Sequence, residues 1–321
     1  MGTEKRSSVM TDKDAVLALD IGGTKMASAV VARDGTMLAR GEVPTRGGAE
    51  QLYAALVALC QEQIKAAGVT VAGIGVGCAG PMRYPDGIVS PINVTAWQEF
   101  PLGGRLRETF GLPTFVENDA KVMALGEHWL GGGRGVSNML GMVVSTGVGG
   151  GLILDGRLVH GNAGNAGHVG HIIVWPDGPI CPCGARGCLE AVAAGGALAR
   201  RLAEMQAAGR PTRLGRAAQP AEIARAARAG DALACRLFED AGTALGRAIA
   251  STAALCDIGL ALLGGSVAVH AWDLLEPPLH AELGRAARLD FSRQVRVRQA
   301  VLGPDAGLLG AAASALSGLG K

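Results

Sequence analysis

The sequence predicts an α/β protein of two lobes, and three observations support this. Apolar strand-like runs alternate with stretches of helical periodicity, which is typical of a mixed sheet with helices packed against it. Each half opens with a strand, a glycine-rich turn and a second strand, at LDIGGTKMASAVV from Leu19 and at VVSTGVGGGLIL from Val143. The 321 residues are enough for two domains. Together these features indicate duplicated lobes around a cleft.

The elements follow in order from the same patterns. A β-meander opens the fold, followed by a helix at about residues 49–67, a strand at VAGIGVGCAG, and a strand ending at Glu117 before a helix. The second half is mostly helical from about Leu189 to Cys256, with a last strand at IGLALLGGSV and a small-residue helix at DAGLLGAAASAL. We expect a disordered tail over residues 1–13, a small lobe over 14–117 joined by a C-terminal helix at about 305–319, and a large lobe over 118–304.

Composition excludes several classes of protein. The net charge is +2 and the arginines are scattered, so no basic face for nucleic acid is expected. No apolar run reaches the roughly 18 residues of a membrane span, and the polar opening lacks the apolar core of a secretory signal. We therefore expect a cytoplasmic protein. Cys60, Cys78, Cys235 and Cys256 stand alone in apolar or helical stretches and are expected to be small buried hydrophobic residues.

Three glycine turns suggest phosphate binding. DIGGTK, at Asp20–Lys25, combines backbone N–H groups and a hydroxyl with a cation and with a carboxylate that can hold Mg²⁺ directly or through water. STGVGGG and LLGGSV repeat the glycines without the carboxylate. An ordinary glycine hairpin explains any one of these turns alone, and neither of the first two has the spacing of a Walker A loop or runs into a helix as a dinucleotide fingerprint does. The candidate nucleotide contacts are Asp20, Gly22, Gly23, Thr24, Lys25, Ser145, Thr146, Gly147, Gly149, Gly264 and Gly265.

A cysteine cluster predicts a metal site. Cys181, Cys183 and Cys188 lie within eight residues, and His171 precedes the first by ten. Three thiolates and one imidazole form a tetrahedral ligand set for a structural zinc, which would close the loop over residues 171–188 and leave no open position for metal catalysis. A Cys183–Cys188 disulfide or buried free thiols are the alternatives.

VENDA places Asn118 and Asp119 at a strand-to-helix junction. An aspartate there can be a helix N-cap and nothing more. It can also be a general base that deprotonates an attacking hydroxyl, as in kinases. The pattern alone does not decide between them.

The motifs LALDIGGTK, VENDA, VSTGVGGG, GHVGH, CPCGARGCLE, LLGGSV and DAGLLGAA occur in this order from about Val16 to Leu316, and in that order they resemble the ROK family of repressors and sugar kinases. The cysteine signature is highly specific. The resemblance implies an actin/hexokinase-like (ribonuclease H-like) ATPase fold with the active site in the interlobe cleft. It also implies ATP with Mg²⁺ as donor, a structural zinc, a homodimer, and phosphorylation of a hexose or aminohexose, commonly at the 6-hydroxyl.

Carried over to this sequence, the resemblance makes Asp119 the base and Asn118 a sugar ligand. His171 and Glu190 resemble residues that contact sugar hydroxyls, and Gly80 and Asn93 resemble the sugar-binding loop of the small lobe. The zinc would then hold His171 and Glu190 in place for the sugar.

One position departs from the family pattern, because His168 stands where a glutamate is usual. A neutral imidazole weakens the demand for a free 2-hydroxyl and favours a carbonyl acceptor such as an N-acyl group. Trp97 is a candidate for filling the space that an acyl group needs. We predict a kinase for a glucose-type or amino-substituted hexose, with N-acetylmannosamine as the alternative.

Two further classes are disfavoured. A ROK transcriptional regulator would carry a helix-turn-helix domain before the first glycine turn, yet only 19 residues precede Asp20. A sugar sensor without catalysis would be expected to lose the base or a phosphate loop, and both are present.

Overall fold

The computed structural model describes residues 15–320 and confirms the α/β class. Two compact units emerge among these residues, the first comprising 15–122 with 307–320 and the second 123–306. Each is built on a five-stranded mixed sheet. The predicted tail at residues 1–13 lies outside the described residues. None of the described helices is both long and apolar enough to span a membrane.

The sheet of the first unit has the order β3-β2-β1-β4-β7, in which the first three strands are antiparallel and β1, β4 and β7 are parallel. Its elements are β1 (Ala15–Ile21), β2 (Lys25–Ala32), β3 (Met37–Pro44), α1 (Ala49–Ala67), β4 (Val71–Cys78), the short pair β5 (Met82–Arg83) and β6 (Ile88–Val89), α2 (Leu102–Phe110), β7 (Thr114–Asn118) and α10 (Ala306–Gly318).

Trp97 belongs to the core of this first unit. Its side chain is fully buried and stacks on Phe100 with ring centroids 4.7 Å apart, while its indole Nε1 donates to the carbonyl of Ala49 at 3.2 Å. A tryptophan side chain stabilises the fold most when its ring is buried and its N–H donates a hydrogen bond. The idea that Trp97 fills space in a sugar pocket is therefore wrong.

The second unit has the strand order β10-β9-β8-β11-β12. Its elements are the part of α3 (Asp119–Trp129) that begins at Met123, and then β8 (Met139–Val144), β9 (Val148–Leu154), β10 (Arg157–Leu158), α4 (Leu189–Ala193), α5 (Gly195–Ala207), α6 (Pro220–Arg228), α7 (Ala232–Cys256), β11 (Leu260–Gly264), α8 (Ser266–His270), α9 (Trp272–Ala286) and β12 (Arg296–Gln299). The boundary between the units falls within α3, after Val122, and near the start of α10.

Close packing of α7 on α9 explains why so large a core needs few aromatic residues. Ala234, Ala241 and Ala248 recur at seven-residue spacing and are fully buried. A Cβ at Gly242 would lie 2.5 Å from the carbonyl oxygen of Leu275, so only a glycine permits this approach. Small residues thus replace bulky side chains with direct backbone contact.

Sequence patterning missed several elements, namely α2, α8, α9 and β12. The predicted last strand is shorter than expected, because Gly265, at φ 90°, turns the chain after Gly264 into α8. The strand β12 is a short edge strand with alternating arginines, whose composition does not resemble that of a core strand. In α9, two prolines inside the helix masked its periodicity.

Candidate functional site

The predicted site residues of the first unit converge at one edge of its sheet. In β1, Asp20 is paired with Gly77 of β4, and the next residue of β4, Cys78, is paired with Asn118 of β7. Parallel strands end at the same edge, which is where ligands bind in open α/β sheets. Asp20 and Asn118 are therefore brought to the same edge, together with Asp119, which follows Asn118.

Asp20 and Asp119 interact electrostatically. Burial and, second, the negative charge of Asp119 raise the pKa of Asp20 to about 6, although Lys25 acts in the opposite direction. The same two carboxylates, after burial, also raise the pKa of the buried Cys78 thiol. Two carboxylates in a poorly solvated place suit a hard divalent cation, because oxygen ligands bind it and its charge relieves their repulsion. These residues therefore fit the Mg²⁺ expected from the sequence.

The first glycine turn lies against the predicted sugar loop. A Cβ at Gly23 would lie 2.7 Å from the Cβ of Asn93, so the turn and this asparagine are in close contact. Thr45 fixes the turn by donating its hydroxyl to the carbonyl of Gly22 at 2.7 Å. Lys25 points its ammonium group to Glu42, 2.7 Å away, in an exposed ion pair.

Gly80 also joins this group. The backbone N–H of Ile92 donates to the carbonyl of Gly80 at 3.3 Å, which ties the two ends of the loop together. A Cβ at Gly80 would lie 3.6 Å from the side-chain nitrogen of Asn118. Gly80, Asn93 and Asn118 thus surround one region of the first unit.

The VENDA junction folds as a strand that ends at Asn118, one residue later than predicted, and a helix that starts at Asp119. The side-chain oxygens Oδ1 of Asn118 and Asp119 both accept from the backbone N–H of Ala120, at 3.0 and 2.8 Å. A carboxylate has two oxygens, so this capping contact and a base role are compatible. The buried pair Glu117 and Lys121, with Oε2 and Nζ 3.7 Å apart, flanks the junction.

In the second unit, two of the glycine turns meet. The hydroxyl oxygens of Ser145 and Ser266 are 2.9 Å apart, and Ser266 directly follows the Gly264–Gly265 pair. The carbonyl of Ser145 also accepts from the backbone N–H of Gly195, at the start of α5, at 2.7 Å. The second turn therefore lies between α5 and α8.

These turns border a cavity of about 550 Å³ within the second unit. Its walls are mainly apolar, and its polar side chains are those of Ser145, Thr146, Gln219, Arg225, Arg228, Ser266 and His270. Such a lining suits a flat aromatic ligand with polar or anionic substituents. Most of these residues were not predicted from the sequence, because alanines that line a cavity look the same in a helix as alanines that pack in a core. The apolar lining comprises Ala199, Pro220, Ala221, Ala224, Phe238, Val267 and Ala271.

The cysteine cluster forms as predicted. Ligand atoms of His171, Cys181, Cys183 and Cys188 all lie within 4.8 Å of one another. The Sγ atoms of Cys183 and Cys188 are 3.8 Å apart, and the Sγ of Cys181 is 3.8 Å from Nδ1 of His171. A tetrahedron with metal–sulfur bonds of about 2.3 Å has sulfur–sulfur edges of about 3.8 Å. All three cysteines are free, so the disulfide alternative is not seen here.

Burial affects the thiols of this cluster. It raises the pKa of the Cys188 thiol to about 12, whereas the backbone N–H of Ala185 lowers the pKa of Cys183. A bound cation would lower the pKa of these thiols and hold them as thiolates. The geometry and the donor chemistry of the cluster thus fit a Cys₃His metal site.

Glu190 connects this cluster to the second turn. It follows the ligand Cys188 by two residues, and its Oε2 accepts from the backbone N–H of Val148 at 2.9 Å. A Cβ at Gly147 would lie 2.8 Å from the same oxygen. The carboxylate of Glu190 is therefore held beside the turn.

His168 lies against the metal ligand His171. Their rings stack with centroids 6.4 Å apart, and Nδ1 of His168 is 2.9 Å from the carbonyl oxygen of Asn165. Since a carbonyl only accepts, Nδ1 carries the proton, and Nε2 of the neutral ring is an acceptor. In this tautomer the ring nitrogen that is left is an acceptor and not the donor that an acyl carbonyl needs. This contact therefore goes against the expectation that His168 favours the carbonyl of an N-acyl group.

Comparisons with known proteins agree over nearly the whole chain. A model of the ROK family matches residues 16–317. The chain is 36% identical over 300 residues to an N-acetylmannosamine kinase of Yersinia pseudotuberculosis, covering 92% of this chain and 96% of that protein. It resembles the crystal structure of a ROK hexokinase from Thermus thermophilus, with 38% identity, a TM-score of 0.85, and coverage of 95% of this chain and 99% of that one.

A second solved structure is a ROK family glucokinase from Streptomyces griseus in complex with glucose and AMPPNP. It is 32% identical, with a TM-score of 0.76, and the match covers 94% of this chain and 99% of that chain. These likenesses confirm the predicted actin/hexokinase-like fold. By its motifs, its fold and the family match over residues 16–317, this chain belongs to the ROK family.

Proposed function

We propose that this protein transfers the γ-phosphoryl group of ATP to a hydroxyl of a hexose or aminohexose, with the 6-hydroxyl of a glucose-type sugar as the main acceptor. The observation that carries the proposal is the pair of interacting carboxylates Asp20 and Asp119 at the edge of the first sheet. One is suited to a metal and the other to a proton, which are the two requirements of phosphoryl transfer to an alcohol.

Asp119 acts as the general base. Its carboxylate takes the proton of the attacking hydroxyl as the oxygen bonds to the γ-phosphorus and the bond from that phosphorus to the β–γ bridging oxygen breaks, releasing ADP. Asn118, Gly80 and Asn93, which surround one region of the first unit, bind and orient the sugar. Asp20 holds Mg²⁺, which neutralises charge on the phosphates when bound.

The second unit binds the nucleotide. The cavity of about 550 Å³ accommodates the adenine ring against its alanines and Phe238. Ser145, Thr146 and Ser266 line one part of this cavity. Their hydroxyls, together with the backbone N–H groups of the glycine turns beside them, suit phosphate oxygens. The solved relative in complex with AMPPNP supports an adenine nucleotide as a ligand of this chain.

We propose that the Cys₃His site binds zinc and serves the sugar through its neighbours. His171 is both a metal ligand and a sugar contact. Glu190 follows the ligand Cys188 by two residues, and its carboxylate accepts from the backbone N–H of Val148. A metal that orders this loop would hold both side chains in place for binding. The homodimer expected from the family resemblance stays a prediction, which light scattering would test.

His168 supports N-acetylmannosamine as the second candidate substrate. The chain is 36% identical to a kinase for that sugar, and His168 offers a neutral acceptor at Nε2 rather than a carboxylate. An acceptor of this kind can take a hydrogen bond from a hydroxyl or from the N–H of an acylated amine, without attracting an ammonium group.

The experiment is a panel of hexoses offered to the purified protein with Mg-ATP, with ADP release as the signal. Glucose, glucosamine, kanosamine, N-acetylglucosamine and N-acetylmannosamine cover the candidates. Sugar-dependent ADP release with a glucose-type hexose, and a 6-phosphate product by NMR, are expected. Release that favours N-acetylmannosamine would select the second candidate, and release with no member of the panel would refute the proposal.

A further inference from the structure

The first turn of α10 lies directly against Asp20. Gly307 is the second residue of this helix, and a Cβ built there would lie 2.5 Å from Oδ2 and 2.9 Å from Cγ of Asp20. In protein structures, a Cβ atom essentially never comes within 3.0 Å of a non-bonded heavy atom. Only a residue without a side chain therefore permits the observed position of the carboxylate.

The backbone of Asp20 has little room to adjust. It lies inside β1, where Ala27 of β2 pairs with it on one side and Gly77 of β4 on the other. A side chain at residue 307 would have to push the carboxylate into another rotamer, because the strand is held on both edges. That movement would take the carboxylate out of the orientation that it has against the first turn of α10.

We propose that Gly307 is a positioning residue for Asp20, which by lacking a side chain lets the carboxylate lie against α10 in the orientation that the metal-dependent phosphoryl transfer uses. The positional part of this inference rests on the contact itself. Its consequence for catalysis rests on the function proposed above.

A neighbouring glycine on the same helix has a different role, and this separates the proposal from ordinary helix packing. A Cβ at Gly310 would lie 1.5 Å from the backbone carbonyl oxygen of Val122, so Gly310 allows α10 to approach α3. At Gly307, by contrast, the three nearest atoms all belong to the Asp20 carboxyl group. A substitution at Gly307 should therefore depend on the Asp20 side chain, whereas one at Gly310 should not.

A double-mutant cycle on stability tests the contact. We expect Gly307→Ala to lower the unfolding midpoint in the parent, and to lower it much less in the Asp20→Ala background, where the carboxyl group is absent. Gly310→Ala should be equally destabilising in both backgrounds. Gly284→Ala, where a Cβ would have no neighbour within 4 Å, should be harmless in both.

Each outcome of the cycle is decisive. Equal losses for Gly307→Ala in the two backgrounds would overturn the proposal. Should Gly307→Ala fail to fold, folding of the double variant supports the contact, and failure of the double variant when Asp20→Ala alone folds contradicts it.

Activity supplies the second arm. In Gly307→Ala, we expect roughly a tenfold or greater loss in kcat and in apparent Mg²⁺ affinity, while the KM for the sugar stays within about twofold. Parent-like kcat and Mg²⁺ dependence would overturn the positioning role. A parent protein that phosphorylates no sugar would refute the proposed function instead, and the stability cycle would still decide the contact.

Discussion

The negative charge of Asp119 acts on Asp20, and together with burial, the larger cause, it raises the pKa of Asp20 to about 6. The folded protein therefore holds a carboxylate at neutral pH in a place that favours its protonated form. A bound cation would remove this conflict. Without a cation, the charged Asp20 thus lowers the stability of the folded protein, and a bound cation would offset this cost. Such a conflict is common at functional sites.

The first prediction is that Asp20→Asn stabilises the metal-free protein at neutral pH. The folded-state pKa of about 6 lies above the ordinary value of 3.8 for an aspartate, so the folded state binds the proton more tightly. The contribution of Asp20 to the free energy of unfolding should then fall as pH rises from about 4 to about 6, by up to roughly 3 kcal/mol. Urea unfolding across this range measures it. Asp20→Asn should lack this loss, whereas the exposed Asp290→Asn should keep it; identical pH profiles for all three proteins would contradict the assignment.

The second prediction concerns the acidic limb of the activity profile. Protonation of Asp20 below about pH 6 would remove the metal ligand proposed above, so activity should decline there at limiting Mg²⁺. Because metal and proton compete for the carboxylate, raising the Mg²⁺ concentration should move the limb to lower pH. Rate profiles at several Mg²⁺ concentrations check this. A limb that stays in place at every concentration would show that Asp20 does not hold the metal.

The third prediction concerns zinc. Elemental analysis should find one zinc per chain in the parent and almost none in Cys188→Ser, because a site of four ligands is weakened strongly when one is lost. The midpoint of thermal unfolding and the affinity for sugar should fall together. Cys235→Ser is the control, since that thiol lies outside the cluster and donates only to the carbonyl of Ala227. A parent free of metal and fully active would exclude the site from function.

The fourth prediction concerns choice of sugar. His168→Glu should raise kcat/KM for glucose and glucosamine relative to N-acylated sugars by about tenfold, since one hydrogen bond to a charged group contributes about 1.5 kcal/mol or more. His168→Gln, which remains neutral, should change the ratio less. The exposed His280→Gln serves as the remote control. Unchanged ratios in His168→Glu would show that this side chain does not contact the sugar.

Much of the fold followed from periodicity and turn chemistry. The two strand-turn-strand openings at Asp20 and Ser145 and the junction at Asn118 appear within about one residue of where the sequence places them. Local rules sufficed there, because glycine turns and strand patterns are encoded by adjacent residues. The Cys₃His geometry was predictable for the same reason, since four ligands within one short segment have few ways to meet.

Features that depend on distant residues were not predictable in the same way. The cavity proposed for the nucleotide takes its walls from α5, α6, α7 and α8, whose alanines look like ordinary helix residues in the sequence. Gly307 occurs in a small-residue helix, and nothing local indicates that it touches Asp20. Trp97 was misassigned because a tryptophan in the core and a tryptophan in a pocket wall look the same in a sequence. Only the structure, in which Trp97 stacks on Phe100, shows that it belongs to the core.

The central claim is that Asp119 takes the proton of a hexose hydroxyl during phosphoryl transfer from ATP, and Asp119→Asn tests it most directly. The amide keeps the size of the side chain and an oxygen that can accept from the N–H of Ala120, but it cannot take the proton. Formation of hexose phosphate in single-turnover experiments should slow by roughly 10²- to 10⁴-fold, while the Kd for the sugar changes by no more than a few-fold. A variant that forms hexose phosphate within a few-fold of the parent rate would contradict the account.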